Sequence, residues 1–206
     1  MILPSPLFMA SKNVDIANRA LSLVGSPIIS SLEDGSREAT LIKTVYDDTR
    51  LVCLRLHPWK FATTRAVLNT SLEEPVCDFA YTYQLPADFV RMIIVDDGRT
   101  EYDLQGNTIL TDSESINVRY VRDEDNVEIF DTLFVELFAH WLAWVICLPL
   151  TQSKDMKDSI WAALSRMTPS FKHVDSADNY QKTLVTETWL GARNYPASGF
   201  VRDPMT

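Results

Sequence analysis

Cysteine is scarce in this 206-residue chain, with three in all, at positions 53, 77 and 147. They stand far apart, in no CxxC or Cys/His spacing, so neither a zinc site nor a disulfide framework is expected. Cys53 and Cys147 fall within apolar helical patterns and read as buried thiols of a protein made in a reducing cytoplasm. Glycine is also sparse, at six residues. No Walker-type loop, G-x-G-x-x-G or G-x-S-x-G is present, which removes the recognisable routes to nucleotide binding and to a serine nucleophile. Basic charge is in deficit: 28 acidic residues against 19 basic leave a net charge of −9. A surface of that sign repels phosphate, and no basic-aromatic patch for single strands is seen. It suits a surface past which DNA slides, although solubility alone would also account for it.

Hydrophobic content of 46% and charged content of 23% describe a globular chain with enough apolar material for a substantial core. The start, Met1-Ile2-Leu3-Pro4-Ser5-Pro6-Leu7-Phe8, carries no basic residue and no long apolar run, so it does not read as a secretion signal. Met9-Ala10-Ser11-Lys12 looks like a natural start, which makes residues 1–12 a flexible extension.

A first helix is expected over about Val14 to Val24, with Asn13 as N-cap, an inner stripe of Ile16, Ala20, Leu23 and Val24, and a stop at Gly25 and Pro27. Ile28, Ile29 and Leu32 make the following linker too apolar to run free. A second helix is expected over about Ser36 to Leu56, ended by His57-Pro58. The period then changes to two. Phe79, Tyr81 and Tyr83 alternate, Pro86 sits in a turn, and strand-like runs follow at 91–95, 101–104, 108–111 and 116–121, separated by Asp97-Gly98 and Gln105-Gly106-Asn107. One small antiparallel sheet is the expectation. Residues 133–150 are almost entirely apolar, but Glu136 and His140 interrupt them and Pro149 closes them. A core helix buried on nearly all sides is expected there, rather than a membrane span. A fourth helix, capped by Thr151, carries Met156, Ile160, Ala163, Leu164 and Met167 inward, and Thr168-Pro169 is expected to kink or break it.

The fold class expected is therefore α+β: a four-helix body, a small inserted antiparallel sheet and an extended C-terminal tail. The divisions are a flexible extension at 1–12, a helical body at 13–77 and 123–182, a β subdomain at 78–122, and an irregular docking tail at 183–206.

Catalytic groupings are weak. His57, His140 and His173 lie at no ligand spacing, and His140 reads as a satisfied core group. Asp96-Asp97 and Asp123-Glu124-Asp125 read as solvated turns, the second lacking the glycine and terminal glutamate of a calcium loop. No catalytic, cofactor or metal residue is assigned. Trp141, Trp144 and Trp161 read as core. Trp189 differs: with Leu190 and Arg193, and with Tyr195 and Phe200 beyond, it gives an aperiodic tail the composition of an interface hot spot.

Five segments in order carry a resemblance: Val14-Asp15-Ile16-Ala17-Asn18-Arg19-Ala20-Leu21-Ser22-Leu23-Val24-Gly25, Trp59-Lys60-Phe61-Ala62, Tyr83-Gln84-Leu85-Pro86-Ala87-Asp88-Phe89, Val174-Asp175-Ser176-Ala177-Asp178, and Trp189-Leu190-x-Ala192-Arg193. Together, over roughly Met9 to Arg193, they resemble the head-to-tail adaptor of short-tailed bacteriophages, the tail tubular protein A family. The N-terminal extension and Pro169 depart from that pattern, and nothing past Asn194 matches it. The resemblance implies a non-enzymatic virion protein of the tail neck, made in the bacterial host's cytoplasm. It implies a ring of twelve copies that binds the portal protein on one side and the tail nozzle protein on the other. DNA would pass through the channel without specific binding. Trp189, Leu190 and Arg193 would be portal-side or neighbour-side anchors. The alternative from another class is a tail-associated carbohydrate-binding or polysaccharide-degrading protein, which would need a carboxylate pair such as Asp123 with Asp125.

Overall fold

The computed structural model describes residues 6–70, 79–96, 98 and 100–177, with side chains from Lys12 to Met167 within those spans. Four helices and two three-stranded antiparallel sheets make an α+β arrangement. The helices are α1 (Pro6–Leu23), α2 (Arg37–Leu56), α3 (Thr132–Thr151) and α4 (Lys154–Ala177). The strands are β1 (Thr63–Leu68), β2 (Tyr81–Gln84), β3 (Phe89–Val95), β4 (Tyr102–Gln105), β5 (Thr108–Thr111) and β6 (Ile116–Arg122). Short 3-10 turns lie at Lys60–Ala62 and Val127–Ile129. The chain divides into two compact units, Met1–Lys172 and His173–Thr206. Every contact discussed below belongs to the first.

The first helix begins at Pro6, so residues 6–12 are helical where a flexible extension was expected. Asn13 is accordingly interior to the helix and not its cap, and its Oδ1 instead accepts from the Tyr46 hydroxyl at 3.3 Å. Proline is tolerated in a helix's first turn, where its missing N–H has no partner to lose. Asn18 holds the linker after α1 by bonding both the carbonyl and the N–H of Ile29, at 2.9 and 2.8 Å. Ile29 is thereby buried, as expected of this linker, whereas Ile28 is 71% exposed.

Ser36 caps α2, its hydroxyl accepting from the Ala39 N–H at 3.1 Å. Ile42, Tyr46, Cys53 and Leu54 face inward. Burial holds the Cys53 thiol and the Tyr46 phenol well above their usual pKa ranges. Neither is poised to react.

Helix α3 is the axis against which α1 and α2 pack, through Phe134, Leu137, Phe138, Leu142 and Ile146. It is long and apolar enough to cross a membrane by length and composition. It is not buried all round. Trp141 and Trp144 are half-buried and Leu148 is 45% exposed. Pro149 lies inside the helix and does not end it. The termination falls at Gln152, in left-handed geometry (φ 55°), with its N–H bonded to the Leu148 carbonyl at 3.0 Å. A side chain there is strained, so Gln152→Gly should stabilise the protein by up to about 1 kcal/mol. A denaturant titration with unchanged m-value checks this. Thr151 is the last residue of α3. The cap of α4 is Ser153, whose hydroxyl accepts from Met156 N–H at 3.2 Å. Helix α4 continues through Pro169 as one element, where a kink or a break was expected, so the helix is not broken there.

The β portion differs from expectation in extent and number. Strand β1 lies in the stretch assigned to the helical body, and the strands form two sheets, ordered β1-β6-β3 and β2-β5-β4. The first sheet is covered on both faces. Val90 and Val121 belong to the helical core, while Val95, Ile116, Val118 and Tyr120 share a second core with Tyr83 and Ile109 of the other sheet. Helices, first sheet and second sheet thus stack as layers. The chain passes between the sheets at Pro86-Ala87-Asp88, and Asp88 is pinned by the Tyr120 hydroxyl at 3.0 Å. Burial first, then this bond, pushes the Tyr120 phenol up to about 12.

Candidate functional site

Two features of the described residues could act on something outside the subunit or hold its parts in place. The first is a tryptophan face. Trp141, Trp144 and Leu148 follow one another at helical spacing on α3, in line with the buried Leu137 and at the edge of the helical core. The turn into α4 is tight: Thr151 Oγ1 donates to the Cys147 carbonyl at 2.8 Å and accepts from Ser153 N–H at 3.2 Å. This brings Trp161 of α4 against both rings, with centroids 6.1 Å from Trp141 and 5.4 Å from Trp144. The Lys157 ammonium lies 4.4 Å from the Trp144 ring centre, a cation–π contact. Trp161 was expected in the core and is 47% exposed. The reason is positional: Ile160 and Leu164 take the inward side of α4, and Trp161 is one step round from Ile160. A tryptophan left so open forgoes much of the burial such a ring can contribute.

The second feature is the junction where β6 leads toward α3. Arg50 of α2, only 6% exposed, donates from Nη1 to Asp123 Oδ1 at 2.5 Å and to the Glu124 carbonyl at 2.6 Å. Its Nε lies 3.5 Å from Asp47 Oδ1. Glu124 is itself buried, paired with Arg122, and accepts from the Asn126 N–H at 3.1 Å. The Asp123-Glu124-Asp125 run is therefore more than a solvated turn. Its first two members are engaged by arginines, and the run fastens the sheet to the helices. Glu124 alone of the three is buried, against the solvated expectation; Asp123 and Asp125 are exposed, Asp123 being held by Arg50 as well.

His140 is held as expected, with Nδ1 2.9 Å from the Glu136 carbonyl. Among the described residues no group of three or more His, Cys, Asp or Glu could hold a metal ion. Trp189, Leu190, Arg193, Tyr195 and Phe200, the interface candidates read from sequence, lie outside the described residues, as does the segment 183–206 as a whole. Nothing local distinguished the exposed tryptophan face in the sequence, since Trp161 sits beside a genuine core stripe. The Arg50 tie spans 73 residues and had no local signal either. Comparison of the chain with protein-family models and with curated protein sequences finds no match.

Proposed function

We propose that this chain is a structural virion protein, the head-to-tail adaptor of a short-tailed bacteriophage. In this reading the four-helix body forms the wall of a ring, and the C-terminal tail (183–206) docks on a neighbouring copy or on the portal. The ring joins portal to nozzle and continues the DNA channel. The observation that carries the reading is the ordered set of segments resembling the tail tubular protein A family. Three of them fall on residues with structural work to do. The first is the inner helix α1. The second is the Trp59–Ala62 turn, whose Trp59 and Phe61 rings lie 5.2 and 5.0 Å from Phe134. The third is the crossing between sheets at Tyr83–Phe89. Matching at such positions bears on fold, and the role follows from the resemblance. The tryptophan face supplies further support as exposed apolar surface of the kind that protein partners cover.

The test is negative-stain imaging of the subunit mixed with its cognate portal ring. An added layer beneath the portal, sharing its symmetry, is expected, and Trp189→Ala should weaken that layer while leaving the subunit folded. A folded subunit that adds no layer would overturn the reading. In the polysaccharide-degrading alternative Asp123 would serve in the carboxylate pair, but it is engaged by Arg50.

A further inference from the structure

The face that the first sheet turns toward the helices carries an arginine cluster, of which Arg91 ties β3 to the end of α2 while Arg65 and Arg119 have no role in the fold or in the adaptor reading. Residues directly opposed across an antiparallel ladder project from the same face. On β6, Val121 stands opposite Thr63 of β1 and Arg91 of β3, and Arg119 stands opposite Arg65 and Ile94. Val121 is fully buried in the helical core, which identifies the face. The row of Asn117 and Val67 is open, Val67 being 65% exposed. Arg65 and Arg119 occupy the row between, at the margin of the helical layer.

Two arginines directly opposite one another repel, and no described carboxylate offsets that here. Among the described residues neither the Arg65 nor the Arg119 side chain has an ion pair or a hydrogen bond, and the Arg119 Nε is shut off from solvent. Arg91 adds a third guanidinium, two residues along the ladder. Its Nη1 donates to the Arg55 carbonyl at 3.0 Å, at the C-terminal end of α2. Arg55 in turn donates to the Val90 carbonyl at 3.2 Å. No described carboxylate pairs with any of these four arginines, in a chain whose acidic residues outnumber its basic ones by nine. A like-charge pair of guanidinium groups is relieved by an oxyanion that accepts from both. Three guanidinium groups fit a phosphate, which accepts on three or four oxygens, better than a carboxylate, which has two.

We propose that Arg65, Arg119 and Arg91 form a binding site for a phosphate group. Arg119 and Arg65 supply donors from opposed positions on adjacent strands, and Arg91, with its Nη1 engaged at the end of α2, flanks the anion. The overall negative charge does not oppose this, because the field at a contact distance is set by the groups within a Debye length of roughly 8–10 Å. The site stands independently of the adaptor reading and is tested on the free, full-length chain. Inorganic phosphate titrated at constant ionic strength should shift the Arg119 Nε–Hε resonance and raise the melting temperature. Arg65→Gln, at an exposed position on an edge strand, should keep the native circular dichroism and weaken phosphate binding by about tenfold, the loss of one charge-assisted bond. Arg119→Gln should abolish binding.

A labelled DNA duplex, followed by anisotropy against salt, distinguishes the sources of phosphate. Duplex binding whose salt slope falls by about 2 in the Arg65→Gln/Arg119→Gln double variant assigns the site to a nucleic-acid backbone. A phosphate response with no duplex binding assigns it to free phosphate, and either result supports the proposal. Unchanged Arg119 resonances with both probes would overturn it, as would an undiminished response in the double variant. Self-association lost in Arg65→Gln without any phosphate response would also overturn it, since the cluster would then serve another copy's carboxylates.

Discussion

Phe134→Ala should destabilise the protein by about 3–5 kcal/mol, the largest effect expected of any single truncation here. Phe134 is fully buried, and its ring meets four others: Phe130 at 4.8 Å, Phe61 at 5.0 Å, Trp59 at 5.2 Å and Phe138 at 5.9 Å. The first three are near-perpendicular contacts, the arrangement that ring quadrupoles favour, so each contributes beyond the area it buries. The surroundings cannot easily collapse into the space. Trp59 is anchored by its indole N–H to the Cys53 carbonyl at 3.0 Å, and Phe130 leads into α3, whose cap is Asp131. For a chain of this length the melting temperature should fall by on the order of 10 °C, read by calorimetry or circular dichroism. A fall of only a few degrees would show that the aromatic cluster repacks.

Arg50→Ala should cost about 3 kcal/mol. Removing one partner from a buried pair strands the other, and such losses run to roughly 3–5 kcal/mol. The lower end applies because the Asp123 side chain is 40% exposed and water can replace part of what Arg50 supplies. The Glu124 carbonyl, accepting from the same Nη1, would also be left short. Arg50→Met, which keeps the volume and the apolar stem, should lose less than Arg50→Ala. A double-mutant cycle with Asp123→Asn should return a coupling of about 1–2 kcal/mol. Additive losses would mean that the pair contributes packing alone.

Legibility differed by kind of feature. The second helix was readable because its signals are local: Ser36 at the start, apolar residues at helical spacing, and His57-Pro58 at the end. The strands after Phe79 were readable from alternation and turn residues. Strand β1 was not. Thr63-Thr64-Arg65-Ala66-Val67-Leu68 shows no clean alternation, since one of its faces carries Arg65 and the exposed Val67. Alternation also cannot say how strands group, so one sheet was expected where there are two. The prolines misled in the other direction. A lost N–H and a clash with the carbonyl four residues back argue for a break, yet α3 continues past Pro149, whose own carbonyl accepts from Arg37 at 2.5 Å. Of the sites, Asp123 and Glu124 were visible as residues, but their partner Arg50 was not, because pairing over that separation leaves no pattern in the chain.

The layering has a consequence for the order of synthesis. Strand β6 is the middle of its sheet, pairing with β1 on one side and β3 on the other, and it is the last of the described strands. Helices α1 and α2 likewise have α3 as their principal packing partner, and α3 begins at Thr132. A ribosome that has made the first hundred residues has therefore made two amphipathic helices and three strands without the elements that complete them. The second sheet has all its strands by Thr111, but its core is closed by Ile116, Val118 and Tyr120 of β6, so the nascent segment exposes its apolar faces until the second half emerges. Such a chain should acquire its fold late and at once, and a pause or truncation before α3 should yield aggregate rather than a smaller soluble piece.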